Sequence, residues 1–401
     1  MPLLDLVAPP RDRMQPLGPT AAVAPALLLL VLLLARPSRT LNMTLLPLFC
    51  LSALLTSIRY TTGSTPDDYG RASLQFTLVL RAIDAFLLTQ PSFELACTRI
   101  NEQRVPPAWT LRRLGWAAKF ATTMRGAGWN WNVVAKDPSP APTNTISRRE
   151  YLRRRVGKLI LTYLALDVAS SYMQSRPYFH RVVPLSNLSR AESVLNMLAA
   201  CASAALAMNT AYQVLCVICV GSCIWRPDEC VDLFGSLASA STLAGFWGRT
   251  WHQSFRRPFT SIASFLAESL LGEHRPPSPR PSSPSLVRST MITCFAFALS
   301  GLLHAFSSFA MARTGSGSLK FFTVQPLGIL LEACVARFAR NWNRTGSRVV
   351  KRCVGYAWTA SWLLYWCPNF FDELVQAGFW EVDPAPLSVV RGLWKGEWLH
   401  L

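Results

Sequence analysis

Eight stretches of mainly apolar residues punctuate the chain, near positions 21–35, 41–57, 73–89, 157–174, 194–223, 291–311, 321–339 and 350–367. Most are about 17–22 residues long, the length an α-helix needs to cross a hydrocarbon core of roughly 30 Å. The stretch at 194–223 is long enough to tilt or to conceal a break. The pattern predicts an all-α, polytopic transmembrane helical bundle of about eight spans, with residues 1–401 forming a single integral membrane domain. The first stretch follows Arg11 and Arg13. Another apolar run begins at Leu41 with no convincing cleavage site between them, so the first reads as a signal anchor and the compartment as the endoplasmic reticulum.

Three polar segments interrupt the pattern. Residues 90–156 form a basic loop: from Arg99 to Lys158 there are thirteen Lys and Arg against three acids. Residues 224–290 begin with an aromatic and basic stretch and end in Arg275-Pro-Pro-Ser-Pro-Arg-Pro-Ser-Ser-Pro, a low-complexity Pro/Ser run. Residues 340–352 carry Arg340, Arg344, Arg348, Lys351 and Arg352. Basic loops stay cytoplasmic, and the number of spans between these three lets all of them do so. The loop at 175–192 then faces the lumen despite Arg176, Arg181 and Arg190. Its Asn187-Leu-Ser is a glycosylation sequon, whereas Asn343-Arg-Thr is expected to be silent.

Composition reinforces the membrane reading. Hydrophobic residues make up 51% of the chain and charged residues 15%, against about 25% charged in soluble domains. That excludes cytosolic enzymes, secreted disulfide scaffolds and soluble nucleic-acid binders. The net charge of +18 would suggest nucleic acid on a soluble chain. Here the cations cluster in loops between apolar runs, a pattern suited to anionic lipid, so membrane lipid and not nucleic acid is the expected partner. The eleven cysteines are odd in number and mostly lie inside apolar runs. Cys216 and Cys219 form a CxxC with no second pair or nearby His, so they read as packing residues, and no metal site follows.

Only five histidines occur, His180, His252, His274, His304 and His400, too few for the histidine boxes of a di-iron desaturase. His304 lies inside the span at 291–311, where an ionisable group is costly and usually faces a bundle interior or a wet cavity. Helical spacing puts Ser300, Gly301, Ser307 and Ser308 on its face, with Phe297 and Met311 two turns away, while Phe295, Leu302, Phe306 and Phe309 point elsewhere. Small neighbours leave room for a substrate beside an imidazole suited to general-base work. The same face equally suits a histidine that fixes helix packing. A second cluster is Phe246-Trp-Gly-Arg-Thr-Trp-His-Gln-Ser-Phe-Arg-Arg-Pro. Two tryptophans, two phenylalanines, three arginines and a histidine suit an amphipathic interfacial segment. They also suit an anionic donor bound by arginine beside a reactive His252.

Phe246-Trp-Gly-Arg-Thr-Trp-His-Gln, followed about fifty residues later by Ser300-Gly-Leu-Leu-His304, resembles the wax-synthase branch of the membrane-bound O-acyltransferases. Arg125-Gly-Ala-Gly-Trp-Asn-Trp-Asn, Thr61-Thr-Gly-Ser-Thr-Pro-Asp-Asp-Tyr69 and Lys395-Gly-Glu-Trp are similar to segments of terpenoid O-acetyltransferases from fungal secondary-metabolite clusters. Ala127 departs from the larger aliphatic residue expected in the RGxGW segment. The resemblance, from about 60 to 399, implies acyl transfer from a CoA thioester to an alcohol. His304 would be the general base, and His252 would orient the acceptor or stabilise the oxyanion. Arg249, Trp251 and Arg256 would contact CoA or substrate, with Arg125 a further CoA contact. Acetyl-CoA would be a co-substrate with no bound cofactor, the acceptor a lipophilic terpenoid alcohol, and other pathway enzymes would share the membrane.

Three other functions stay open on the residues. A long-chain wax or sterol ester synthase keeps the mechanism and changes the substrates. A prenyltransferase or terpene cyclase would use acidic clusters, of which Asp228-Glu-Cys-Val-Asp232 offers one. A transporter would use the few ionisable residues within the spans, Arg81, Asp84, Asp167, His304 and Glu332.

Overall fold

A computed structural model describes residues 8–35, 38–88, 105–123, 125–127, 129, 146–272, 285–338 and 347–399. The Pro/Ser run after Arg275, the Asn343 sequon, His274, His400 and about half of the loop at 90–156 lie outside them. The described chain is mostly helical. Four segments are long and apolar enough to cross a membrane, Asn42–Arg59, Arg190–Gly221, Leu286–Ala312 and Ser316–Phe338, and Pro19–Leu34 is a shorter apolar helix. The other expected spans are also helical, at Thr65–Ile83, Arg148–Gln174 and Arg348–Gln376. Charges in the first two, and the tryptophans, tyrosines and other less apolar residues of the last, keep them out of the strictly apolar class. The chain divides into two compact units, residues 1–133 with 254–345 and residues 134–253 with 346–401, and each is described by itself.

The first unit holds α1 (Pro19–Leu34), α2 (Arg39–Arg59), α3 (Thr65–Ile83) and α4 (Leu111–Thr122). It then takes up α7 (Arg256–Leu271), α8 (Leu286–Ala312), α9 (Ser316–Thr323) and α10 (Gln325–Phe338). Its core joins Leu32, Leu33, Phe49, Ala53, Phe86, Trp116, Phe120 and Trp129. Part of the expected basic loop is therefore interior. α4 buries Arg113, Trp116, Ala117 and Phe120, and Arg113 donates from Nε to the Leu33 carbonyl at 2.7 Å and from Nη2 to that of Ala35 at 3.1 Å. Those carbonyls end α1 without intrahelical donors, so a buried arginine is matched to a helix C-terminus. Trp129, from the RGxGW segment, packs edge-on against Trp116 and Phe120.

The second unit is built on the packed pair α5 (Arg148–Gln174) and α6 (Arg190–Gly221), with α11 (Arg348–Gln376) and the short α12 (Val389–Lys395). Ser189 and Glu192 close a capping box at the start of α6. Asp167, fully buried within α5, accepts from the Ser388 hydroxyl at 2.5 Å and the Val390 amide at 2.9 Å. Asp383 accepts from Ser170 and pairs with Arg391. The C-terminal segment thus docks on α5 through charges that would be costly unpaired, and the Ser388 amide donates to the carbonyl of Trp398 in the Lys395-Gly-Glu-Trp segment at 3.0 Å.

Candidate active site

The ionisable residues inside the expected spans mostly have structural partners. Asp84 accepts from Arg257 Nε at 2.8 Å and from the Ser261 hydroxyl, tying the π-helical end of α3 (Asp84–Leu88) to α7. The Arg81 guanidinium lies 4.4 Å from the centre of the Phe120 ring. Asp228 pairs with Arg226, and Asp232 with Arg155 and Lys158, so both carboxylates of the DxxxD spacing are balanced by nearby cations.

His304 is half-buried on α8, and its imidazole meets two residues from different helices of the first unit. Nδ1 lies 2.6 Å from the Tyr69 hydroxyl on α3. The ring stacks flat on Phe322 of α9, with centroids 4.3 Å apart and planes 5° from parallel. Of the residues sorted by helical spacing, Gly301, Ser307, Ser308 and Met311 are buried and Leu302 is exposed, whereas Phe306, expected to point elsewhere, packs on Phe76 of α3. Its small residues serve packing, however. Ser307 Oγ is 2.8 Å from Ser73 Oγ of α3, and Ser308 Oγ is 3.0 Å from Ser318 Oγ of α9. A Cβ at Gly301 would come within 3.1 Å of Leu319 Cδ1 and 3.4 Å of Phe322 Cβ. Small side chains let helices approach until hydroxyls pair across them. The room expected beside the imidazole is thus not at these serines, whose hydroxyls pair with those of neighbouring helices.

The start of α3 delivers Tyr69. Ser64 caps the helix, accepting from the Asp67 amide, and the first turn adds a proline and two acids. Asp68 is fully buried. Its carboxylate accepts from the Thr62 amide at 2.7 Å, from the Thr61 and Thr62 hydroxyls, from Arg11 at 3.2 Å and from Arg71 at 3.5 Å. Arg71 also donates to the carbonyls of Thr56 and Tyr60. The Thr61–Tyr69 segment is therefore a clasp that holds the end of α2, the start of α3 and the N-terminal segment, and it presents Tyr69 to His304. No property of the sequence around His304 alone marks that tyrosine, which stands 235 positions away.

In the second unit, the Phe246–Trp251 stretch forms a π-helical turn, Phe246–Thr250, in place of a regular amphipathic helix. Single π-turns often mark functional places in helices. The Trp251 amide donates to the Phe246 carbonyl at 2.8 Å, and Gly235 donates to the Thr250 carbonyl at 2.9 Å. A Cβ on Gly235 would sit 2.0 Å from the Arg249 carbonyl oxygen, so only glycine allows this approach. Phe246, Trp247 and Trp251 pack as an aromatic group, and His252 lies between Phe234 and Trp251 at centroid distances of 6.1 and 5.5 Å. Gln253 Nε2 donates back to the carbonyls of Trp247 and Trp251. Arg249 and Arg256 are exposed, whereas Arg257 is committed to Asp84. Arg125 is buried in the first unit. The geometry therefore groups Arg249, Trp251 and His252 in one turn, and His304 with Tyr69 and Phe322. Among the described residues, no group of three or more His, Cys, Asp or Glu is placed to hold a metal.

Residues 230–324, which contain both histidine motifs, match the model of the membrane bound O-acyl transferase family. Relatives align far beyond that segment. Acetyltransferase ple2 of Rhodocybe pseudopiperita is 29% identical over 390 residues, covering 96% of this chain and 98% of the relative. Acetyltransferase eriL of Hericium erinaceus is 27% identical over 370 residues, 90% of this chain and 92% of the relative. O-Mevalon transferase macI of Penicillium terrestre is 28% identical over 337 residues, 75% and 73% of the two chains. No solved structure gives a significant match. The segment match and these relatives support an enzyme of acyl transfer, an O-acyltransferase similar to fungal proteins named acetyltransferase and O-mevalon transferase.

Proposed function

We propose that the enzyme moves an acetyl group from acetyl-CoA to a hydroxyl of a terpenoid-type secondary metabolite, with His304 as general base. The observation that carries this reading is the imidazole held by Tyr69 and Phe322 inside an apolar helix. An ionisable group at that depth has a functional reading by default. His304 takes the proton from the acceptor hydroxyl as its oxygen attacks the thioester carbonyl. The tetrahedral intermediate collapses to the ester and expels the CoA thiolate, which recovers the proton from the imidazolium. A thiolate leaves readily, so no enzyme nucleophile is required. His252 carries over from the family motif as the residue that orients the acceptor or donates to the oxyanion. Arg249 and Arg256, both exposed, suit the phosphates of CoA, with Trp251 as a substrate contact in the same turn as Arg249. Arg125 enters on the resemblance, and its burial makes it the least accessible of the three arginines.

The acetyl donor rests on relatives named acetyltransferase, and the terpenoid acceptor on the resemblance of the Arg125, Thr61 and Lys395 segments alone. Relatives named O-mevalon transferase favour a second reading, in which a bulkier acyl group is transferred by the same chemistry. The endoplasmic reticulum is the proposed compartment, with about eight spans, cytoplasmic basic loops and neighbouring pathway enzymes. The test is expression in yeast and incubation of microsomes with a hydroxylated terpenoid panel and fatty alcohols, each with acetyl-CoA or palmitoyl-CoA, reading esters by mass spectrometry. Terpenoid acetates support the reading. Wax esters from palmitoyl-CoA would keep the chemistry and overturn the substrates.

A further inference from the structure

The bond between Tyr69 and His304 decides more than the position of the ring. A neutral imidazole carries one N–H and one lone pair, and which nitrogen holds the proton is set by the hydrogen bond the other nitrogen makes. With Nδ1 engaged by Tyr69 at 2.6 Å, a base acting through Nε2 must carry its proton on Nδ1. Tyr69 must then accept. If Tyr69 donated instead, Nε2 would bear hydrogen and could take no proton from an alcohol.

The surroundings fix the geometry. Tyr69 follows directly on Asp68, whose fully buried carboxylate anchors the first turn of α3. One turn further along, Ser73 meets Ser307 at 2.8 Å, and beyond them Phe76 packs on Phe306 with centroids 5.4 Å apart. Consecutive contacts along α3 and α8 therefore hold the two helices in a single register, and Phe322 fixes the plane of the imidazole from a third helix. Tilting the ring out of that plane would break the stack, and a half-turn within the plane would forfeit the bond to Tyr69.

We propose that Tyr69 is the positioning residue of the reaction: its hydroxyl oxygen accepts from Nδ1–H and holds His304 in the tautomer whose lone pair is on Nε2. This rests on the reading of His304 as the base. When Nε2 takes the proton from the alcohol, the ring becomes an imidazolium and the Nδ1–H to Tyr69 bond becomes charge-assisted and stronger. Tyr69 would thus stabilise the product of the proton transfer more than the resting state, without touching the substrate.

The test has one arm that needs no acceptor. The full chain, labelled with ¹⁵N-histidine and reconstituted in lipid, is examined by solid-state magnetic resonance at mildly alkaline pH, with His304→Ala identifying the resonances of His304. A protonated Nδ1 and unprotonated Nε2 are expected, and Tyr69→Phe should shift several-fold more of the population to the opposite tautomer. A protonated Nε2 in the wild type would overturn the proposal. The second arm measures acetyl-CoA turnover with the panel alcohol that reacts best. Tyr69→Phe should lower kcat about tenfold, a fraction of the roughly 10²–10⁴ that a general base contributes, with KM for acetyl-CoA unchanged. In a His304→Ala background it should have no further effect. The acid limb of the rate profile should move to lower pH in Tyr69→Phe, because an acceptor on Nδ1–H favours the imidazolium. Movement to higher pH would mean that Tyr69 donates. Ser73→Ala, which loosens the same helix contact, should leave the limb in place. Full kcat in Tyr69→Phe with a dead His304→Ala would sink the positioning role alone. An active His304→Ala would sink the base assignment, and the spectrum would still decide the tautomer.

Discussion

Asp68→Asn tests how far the Thr61–Tyr69 clasp supports the site. Asp68 is fully buried, while its two arginine partners are partly exposed, Arg71 by 15% and Arg11 by 31%. Arg71 lies largely withdrawn from water beside the Asp68 carboxylate. Removing that charge leaves a desolvated cation opposite a neutral amide. With its oxygen placed to receive Thr62, the introduced amide would turn its NH₂ toward Arg11 and Thr61. The Thr61 hydroxyl can rotate to accept, but a guanidinium has no acceptor. Breaking a buried pair costs about 3–5 kcal/mol, and the exposure of the arginines reduces this to about 2–4 kcal/mol. Asp68→Ala should cost at least as much, and Thr61→Val, which removes one neutral hydrogen bond, about 1 kcal/mol. The assay is thermal unfolding of the purified chain in detergent, followed by tryptophan fluorescence. The order of midpoints should be wild type, Thr61→Val, Asp68→Asn, Asp68→Ala, and turnover should fall with them because Tyr69 is adjacent. An Asp68→Asn protein melting with the wild type would refute the reasoning.

Three other outcomes follow from the packing and the exposed arginines. Gly235→Ala should destabilise the π-turn by about 1–3 kcal/mol or more, since a methyl group 2.0 Å from the Arg249 carbonyl forces one backbone away. Limited proteolysis near residue 250 would register the change, and an unaltered cleavage rate would count against it. Asp167→Asn should loosen the C-terminal segment, with about 1–3 kcal/mol lost as Ser388 and Val390 lose a charged acceptor; hydrogen exchange confined to residues 385–399 is the measurement, and unchanged protection there contradicts the account. Arg249→Ala and Arg256→Ala should raise KM for acetyl-CoA several-fold with little change in kcat, and unaltered KM in both would remove them from CoA binding.

The apolar pattern made the membrane helices legible, because period and length survive in any context. It counted more spans than the four that are strictly apolar, since α5 mixes its apolar run with charges and α11 fills its own with tryptophan, tyrosine and polar residues. Asp167 pairs with Ser388, 221 positions away, and Asp84 with Arg257, 173 positions away. Such partners have no signature in the local sequence. The same limit explains Tyr69. The Thr61–Tyr69 segment stood out by resemblance, and the span holding His304 by its buried ionisable group, yet only the packing of α3 on α8 joins them. On the face of His304, the packing use offered for its small residues is the one seen for Ser307 and Ser308, matched by Ser73 and Ser318, residues whose hydroxyls carried no signal of their own, while Phe306, expected to point elsewhere, packs on Phe76. For Arg113, a basic residue in a basic loop gave no hint of the α1 carbonyls that it caps.

The central claim is that His304 removes the proton from the acceptor alcohol. Its most direct test is His304→Ala, expressed to the wild-type level in yeast microsomes, with ester formation from acetyl-CoA read by mass spectrometry. Ester formation is expected to fall by about 10²–10⁴, the contribution of a positioned general base, while the membrane fraction still holds folded protein. Turnover within a few-fold of the wild type would contradict the account and return His304 to a packing role.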